Sequence, residues 1–338
     1  MRIGIIGAGF YGLTIARCLS EAGHSVTIYE RKLEAFTGAS RYNQHRLHLG
    51  FHYPRCEKTI GQAKSTFDLF SNTYPESIID IEKNIYAIHK SSLVGYEDYC
   101  KVMSNCNLSY KFANDDCLSK FKCSLDGAVL VNEKAIDLVA LKKRCLDDIQ
   151  KLGIAINYGV DADIFELSFK YDWVINCSYI EPNLGFPELE VKSELAVLLL
   201  AESDSSWKDT AITIMDGQYC SIYPAGKGLH TISSVAFTPA LKNRNPRLLE
   251  KIASGLSTED LNQIDSDIYA HVSSMVDLSG LKIIDRYLTI KTKILNDTGD
   301  FRGTVIKNKD NIISVMSGKI TGAFIAAEEI QEIISKTK

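Results

Sequence analysis

The sequence predicts an α/β protein in which a Rossmann-like parallel-sheet domain is interleaved with an antiparallel-sheet α+β domain. Three observations predict it. A buried strand, a glycine-rich turn and a helix open the chain. Strand sequence of the same apolar character returns only at 171–177 and near the C-terminus. Between them, residues 193–237 alternate and turn in the manner of antiparallel strands.

The elements read in order as follows. Residues 2–7, Arg-Ile-Gly-Ile-Ile-Gly, form a buried parallel strand. The next helix carries Ile15, Ala16, Leu19 and Ala22, and Gly23 stands where it should stop. Residues 26–30 are the second strand, so the opening is βαβ. Residues 37–55 lack a clean period and hold three of the seven histidines, His45, His48 and His52. A polar loop of that composition reads as functional. Helices are expected over 57–73 and 95–105, a strand over 84–90, and short strands and loops over 107–134. Residues 135–152 read as an amphipathic helix with Ile136, Val139, Leu146, Ile149 and Leu152 facing a core, ended by Gly153. Strands follow at 154–158 and 171–177. The antiparallel stretch turns at Asp216-Gly217 and Gly226-Lys227-Gly228. Residues 245–278 are mostly helical, 282–315 return to strands and loops, and a last helix runs from Thr321.

Bulk properties narrow the function. The 338 residues suit two domains or one large α/β body. A net charge of −4 without a basic patch excludes a nucleic-acid role, and Lys142, Lys143 and Arg144 read as a solvated helix face. The longest apolar run, 195–201, is far short of the ~20 residues that span a bilayer. No signal peptide is read at the start. Nine cysteines without a CxxC pair suggest reduced thiols, a cytoplasmic location and no metal site.

The opening motif carries the chemistry. Gly7-Ala8-Gly9-Phe10-Tyr11-Gly12 follows the first strand directly, and Glu30 ends the second. Gly7 makes the tight turn, Gly9 lets backbone approach a pyrophosphate, and Gly12 permits close helix–strand packing. The helix N-terminus offers N–H groups and partial positive charge to phosphates. Glu30 is placed to accept hydrogen bonds from ribose hydroxyls and disfavours a 2′-phosphate, although Arg31 follows it. An NAD dehydrogenase would continue its parallel sheet regularly. Here the sheet breaks after the second strand, a layout that favours FAD.

These features resemble the D-amino-acid-oxidase-like family of FAD-dependent oxidoreductases, which includes glycine and sarcosine oxidases and 2-hydroxyglutarate dehydrogenases. The stretch from Gly7 to Glu30 is the first matching piece. His48-Leu49-Gly50-Phe51-His52-Tyr53 is similar to the family segment that passes beside the flavin after an Asn-containing turn. Ser317-Gly318-Lys319-Ile320-Thr321-Gly322-Ala323 is similar to the turn that closes on the flavin. Asp172 and the following Trp173-Val174-Ile175-Asn176-Cys177 resemble the strand that ends near the cofactor. The family often has Ala-Ala-Gly where this chain has Cys177-Ser178-Tyr179, and a C-terminal turn richer in glycine.

The resemblance implies FAD contacts from Gly7, Gly9, Phe10, Tyr11, Gly12, Glu30 and Arg31. It adds Arg41, Asn43, Gln44, His45, Leu49 and Gly50 from the loop, then Cys177, Gly318, Lys319, Ile320 and Thr321. It implies a discontinuous FAD-binding domain of residues 1–80, 135–180 and 300–338, with 81–134 and 181–299 as the substrate domain. His48 and His52 flank Gly50 as candidate proton acceptors, and one of the three loop histidines is an alternative point of covalent flavin attachment. Arg41, Arg46 and Arg55 are forks for phosphate or carboxylate. Tyr223 and Arg302 lie where the family commonly draws substrate contacts. The reading is an FAD enzyme that oxidises a small polar molecule at a C–N or C–O bond. Its rivals are a non-redox flavoenzyme resembling sugar-nucleotide mutases, an NAD-dependent dehydrogenase and a non-catalytic dinucleotide-binding regulatory module. Oligomeric state is not legible.

Overall fold

A computed structural model describes residues 1–295 and 303–336. Its first sheet is built around strand β1 (Arg2–Ile6). Strand β2 (Ser25–Glu30) pairs parallel on one side, with Ile5 opposite Ile28, and Trp173–Asn176 pairs parallel on the other, with Ile5 opposite Ile175. Ala155–Tyr158 extends the sheet beyond β2, and Ile312–Ser317 extends it beyond Trp173–Asn176, both parallel. Thr304–Lys309 closes that edge antiparallel. The six strands therefore come from well-separated stretches of chain.

Helix α1 (Phe10–Glu21), Leu138–Lys151 and Gly322–Ser335 cover one face. Ile3, Ile5, Leu13, Ile15, Leu141 and Ile330 are buried there. The short helix Ile164–Lys170 covers the other face, over Ile6, Val174 and Ile312. Parallel strands buried on both faces need this continuous apolar character.

The second sheet has nine strands and is largely antiparallel. Val191–Ser203 pairs along its length with Leu281–Ile294. One pairing departs from the antiparallel expectation: Thr210–Met215 runs parallel to Lys83–His89, which joins two distant chain segments into one sheet. Helices Pro246–Ser254 and Thr258–Met275 pack against it, and Ser257 with Asp260 forms a capping box at the second. A three-stranded ribbon of Arg46–Leu47, Lys134–Ile136 and Ile78–Ile79 takes its first strand from the histidine loop.

Two expected helices change. The helix placed over 135–152 begins at Leu138, because Asp137 accepts hydrogen bonds from Val139 N and Ala140 N and residues 134–136 pair as a strand. Its inner face is Leu138, Leu141, Cys145 and Ile149, while Val139 is 65% and Leu152 37% exposed. The helical stretch 245–278 is two helices separated at Gly255. All nine cysteines are free thiols. Among the described residues no helix is long and apolar enough to cross a membrane, and no group of three metal-ligating side chains is found.

Glycines at the opening turn are fixed by contact rather than by flexibility. A Cβ on Gly12 would lie 1.9 Å from the Gly7 carbonyl oxygen. Gly7 has φ +101° and its Cβ would meet the Cys177 carbonyl oxygen at 2.8 Å. Gly61, on the helix Glu57–Thr73, is exposed with nothing within 4 Å of a Cβ. Gly12→Ala is therefore expected to lower stability by at least about 1–3 kcal/mol in urea unfolding. Gly61→Ala is expected to raise it by up to about 1 kcal/mol.

Candidate active site

The glycine-rich turn opens into a cavity of about 830 Å³ at the C-terminal ends of the parallel strands. Gly7, Gly9, Phe10, Tyr11, Glu30 and Arg31 line its first part. The first turn of α1 begins at Gly9 without a side-chain cap, and Phe10 N donates to Ser40 Oγ at 2.9 Å. The Phe10 ring is turned into the core against Phe36, Phe70 and Tyr74. Glu30 is pinned at the end of β2, accepting from Ala8 N at 2.8 Å and Lys32 N at 2.9 Å. Each carboxylate oxygen keeps a second acceptor position for a ribose hydroxyl. Arg31 forks Glu250 on the helix Pro246–Ser254, so its guanidinium ties the two halves together across the cavity.

Farther in, Asn43, Gln44, Arg46, His48, Cys177, Gly318, Lys319 and Ile320 line the cavity, with Thr289, Ile290 and Lys291 facing them from the large sheet. Tyr11 hydroxyl donates to Lys319 O at 2.6 Å, which ties α1 to the C-terminal turn. The Lys319 ammonium donates to Thr59 O at 2.8 Å and lies 4.2 Å from the Tyr53 ring centre. Burial pushes its pKa down to about 7, against the pull of Glu133 and Cys56.

A buried carboxylate organises this end. Glu133 Oε1 accepts from Leu49 N at 2.8 Å and Gly50 N at 3.0 Å, and Oε2 accepts from Tyr86 hydroxyl at 2.5 Å. His48 Nδ1 lies 3.5 Å from Oε2. Burial alone would raise the Glu133 pKa, but His48, Tyr86 and the Gly50 amide outweigh it and hold it at about 2. Burial lowers His48 and drives His52 well below the ordinary imidazole value, so both rings are neutral at pH 7. Arg46 lies over the Tyr223 ring at 4.3 Å and gives Nη1 to Tyr86 hydroxyl at 3.3 Å. Its Nε and Nη2 are buried without a hydrogen-bond partner.

Other expected residues sit away from the cavity wall. Gly12 packs beneath Gly7, and the Leu49 and Gly50 amides point to Glu133. Thr321 stands at the start of the last helix without a side-chain cap. His52 stands behind His48, with ring centres 5.5 Å apart. Tyr223 is fully buried, its hydroxyl accepting from Asn84 Nδ2 at 3.0 Å and donating to Lys134 O at 3.2 Å. Arg41 and His45 line a separate cavity. Arg55 pairs with Asp216 at 2.6 Å. Arg302 lies outside the described residues. Glu133, Tyr86 and Asn84 were not singled out from the sequence. The available signal was a lone carboxylate just after the apolar strand Leu125–Val131.

Comparison with known proteins agrees with this geometry. Residues 2–286 match the family described as DAO, FAD dependent oxidoreductase. The FAD-dependent monooxygenase FPY4 of Fusarium mangiferae is 29% identical over 98% of this chain and 90% of its own length. The FAD-dependent monooxygenase kojA of Aspergillus flavus is 24% identical over 99% of this chain and 86% of its own. Glycine oxidase from Geobacillus kaustophilus superposes with a TM-score of 0.76 at 12% identity, over 99% of this chain and 95% of that one. L-proline dehydrogenase from P. horikoshii gives 0.71 at 11% identity, over 100% and 94%. The chain belongs to the DAO family of FAD-dependent oxidoreductases. It is an enzyme, and its cofactor is FAD. The residues present fit that cofactor: Gly7 and Gly9 place bare backbone on the cavity wall beside the Glu30 carboxylate, and the buried, unpartnered Arg46 nitrogens suit an anionic or carbonyl acceptor.

The buried cluster sets stability. Glu133→Ala would strand two amides and the Tyr86 hydroxyl, and is expected to cost about 3–5 kcal/mol in urea unfolding. Glu133→Gln, which keeps an acceptor, should cost less. Acid sensitivity has two windows. Burial holds His45 at about 4, so the unfolded chain takes up a proton first as pH falls below 6.5. Stability is expected to fall between pH 6.5 and 4 by roughly 3 kcal/mol from His45 alone. Glu133, held at about 2, contributes stability above pH 4.5 that is lost on further acidification. Unfolding of wild type and His45→Gln across this range separates the two windows.

Proposed function

We propose that the enzyme oxidises a small polar substrate at a C–N or C–O bond by hydride transfer, with the accompanying proton taken by the basic groups at the inner end of the cavity. One observation carries the reading. The cavity that begins at the dinucleotide turn also reaches His48 and Lys319, and burial keeps the first neutral and brings the second to about 7. A carbon that gives up hydride must have its attached N–H or O–H proton removed, and a neutral base near the working pH does this efficiently. FAD, when bound, supplies the two-electron acceptor. Gly7, Gly9, Glu30 and the 318–320 turn would hold it.

The protein's own groups then divide the work. Glu133 faces the His48 ring at 3.5 Å and would stabilise it once protonated. Lys319 lines the cavity and anchors its amine on Thr59 O beside the Tyr53 ring. Arg46 supplies a buried fork for a negative group on the substrate. The names of the glycine oxidase and L-proline dehydrogenase neighbours support a small amine as donor. The two fungal relatives, named as monooxygenases, support a second reading in which a nicotinamide reduces the enzyme and oxygen is inserted into the substrate.

Anaerobic mixing of the FAD-loaded protein with amino and hydroxy acids is expected to bleach absorbance near ~450 nm, the flavin band. Bleaching by NADH or NADPH alone, with none from any amine or alcohol, would sink the hydride reading in favour of the monooxygenase one. His48→Asn is expected to slow bleaching by about 10²-fold or more while flavin stays bound. The rate should rise with pH through about 7 as Lys319 loses its proton, and Lys319→Met should remove that limb.

A further inference from the structure

A second cavity of about 590 Å³ lies on the other side of the 41–46 loop, within the roughly 300–1,000 Å³ range of small-molecule sites. The loop is the wall between the two. Asn43, Gln44 and Arg46 face the dinucleotide cavity, while Arg41, Tyr42 and His45 face this one. The strand Leu281–Ile294 divides in the same way, with Thr289, Ile290 and Lys291 on one side and Tyr287 on the other.

The lining is chemically specific. His45 is only 4% exposed. Its Nδ1 lies 2.9 Å from Ile136 O, and a carbonyl only accepts, so Nδ1 carries the proton. Nε2 is then an acceptor, and it is buried with no donor from the protein. The imidazole stacks on Tyr287 at 6.0 Å and 27°, and Tyr42 packs on the same Tyr287 ring at 5.2 Å. Flat rings thus form one wall, and Leu138, Val139 and Leu200 contribute apolar surface. The charges at the rim are mostly spoken for. Lys142 pairs with Glu34, and Arg286 pairs with Asp265 at 2.6 Å. Asp285 accepts from Arg286 N at 2.8 Å. Among the described residues no ion pair within 4 Å is formed by Arg41, although its charge acts on Glu34, and it lies over Tyr42 at 5.6 Å.

We propose that this cavity is a second binding site, for a planar aromatic carboxylate bearing a hydroxyl. The ring stacks on the tyrosine wall, the hydroxyl donates to His45 Nε2, and the carboxylate reaches Arg41. The assignment does not depend on which bond the enzyme oxidises. An occupant would contact the loop whose other side bounds the dinucleotide cavity.

The test uses FAD-loaded protein and calorimetric titration with 4-hydroxybenzoate and with benzoate. Saturable binding of 4-hydroxybenzoate, about tenfold tighter than benzoate, is expected from one hydrogen bond to an otherwise unpaired acceptor. His45→Phe keeps a flat ring and should erase that preference. Val139→Trp changes an exposed position at the cavity wall, so the fold should survive, and it should weaken both ligands about tenfold or more by filling the space. Arg41→Gln should weaken both acids alike. Absence of saturable binding overturns the proposal. So does binding left unchanged by Val139→Trp, which would place the probe in the dinucleotide cavity. A hydroxyl preference that persists in His45→Phe overturns the role given to Nε2.

Discussion

The Glu133 carboxylate accepts two loop amides and a tyrosine hydroxyl, and it faces the His48 ring, all without exposure to solvent. A buried anion is costly unless its lone pairs are met, so each of these donors is held where the carboxylate requires it. Leu49 and Gly50 come from the histidine loop and Tyr86 from the large sheet. Glu133 itself lies between the sheet strand Leu125–Val131 and the ribbon strand Lys134–Ile136. One group therefore sets the position of His48 relative to both sheets. Its negative charge also raises the Lys319 pKa against the larger effect of burial. Neutral base, buried cation and loop backbone depend on this single anion.

The two halves meet along the dinucleotide cavity, and they are fastened there by ion pairs of unusual geometry for a surface. Arg31 forks Glu250, and Arg247 reaches both Asp161 and Glu181. Single exposed pairs contribute little, but forked and shared arginine contacts add orientation. Both tie the helix Pro246–Ser254 to loops that follow strands of the parallel sheet. The helix in turn contributes Glu250, Lys251, Ala253 and Ser254 to the cavity wall. Interleaving of the chain thus has a structural counterpart: neither sheet encloses the cavity alone.

The opening βαβ unit was legible because its constraints are local. Gly7, Gly12 and Glu30 meet within one supersecondary unit, and their spacing encodes the contact. The return strand 171–177 and the C-terminal turn were legible by their apolar runs and by family resemblance. Glu133 was not, because its partners lie 47 and 83–84 residues away. Nor does periodicity tell which way each loop side chain faces. His45 has a positive φ of 57°, and it lines a different cavity from His48 three residues on. Tyr223 was placed correctly on the antiparallel sheet, but its hydroxyl is consumed by Asn84 and Lys134, and its ring supports Arg46. The misjudged face of the helix Leu138–Lys151 has a local cause, since the Asp137 cap starts it three residues later than the apolar pattern suggested.

The direction of the pKa shifts constrains the chemistry further. Burial lowers Lys319, His48 and His52, and among the described residues Glu133 is the carboxylate whose charge acts on all three. With Glu133 held ionised and saturated by donors, no described carboxyl group at this end is a free acid at neutral pH, and the neutral His48 and the half-deprotonated Lys319 supply bases. Such a site favours taking a proton from its occupant over giving one. That asymmetry suits dehydrogenation of an amine or alcohol, where a proton must leave with the hydride. It suits less well a reaction that needs a leaving group protonated. Arg46, cationic and partly unpartnered in the same space, adds attraction for a negative group without supplying a proton. In the proposed reading the chain would thus separate an electropositive anchor from a neutral base, with Glu133 beside His48 and joined to Arg46 through the Tyr86 hydroxyl.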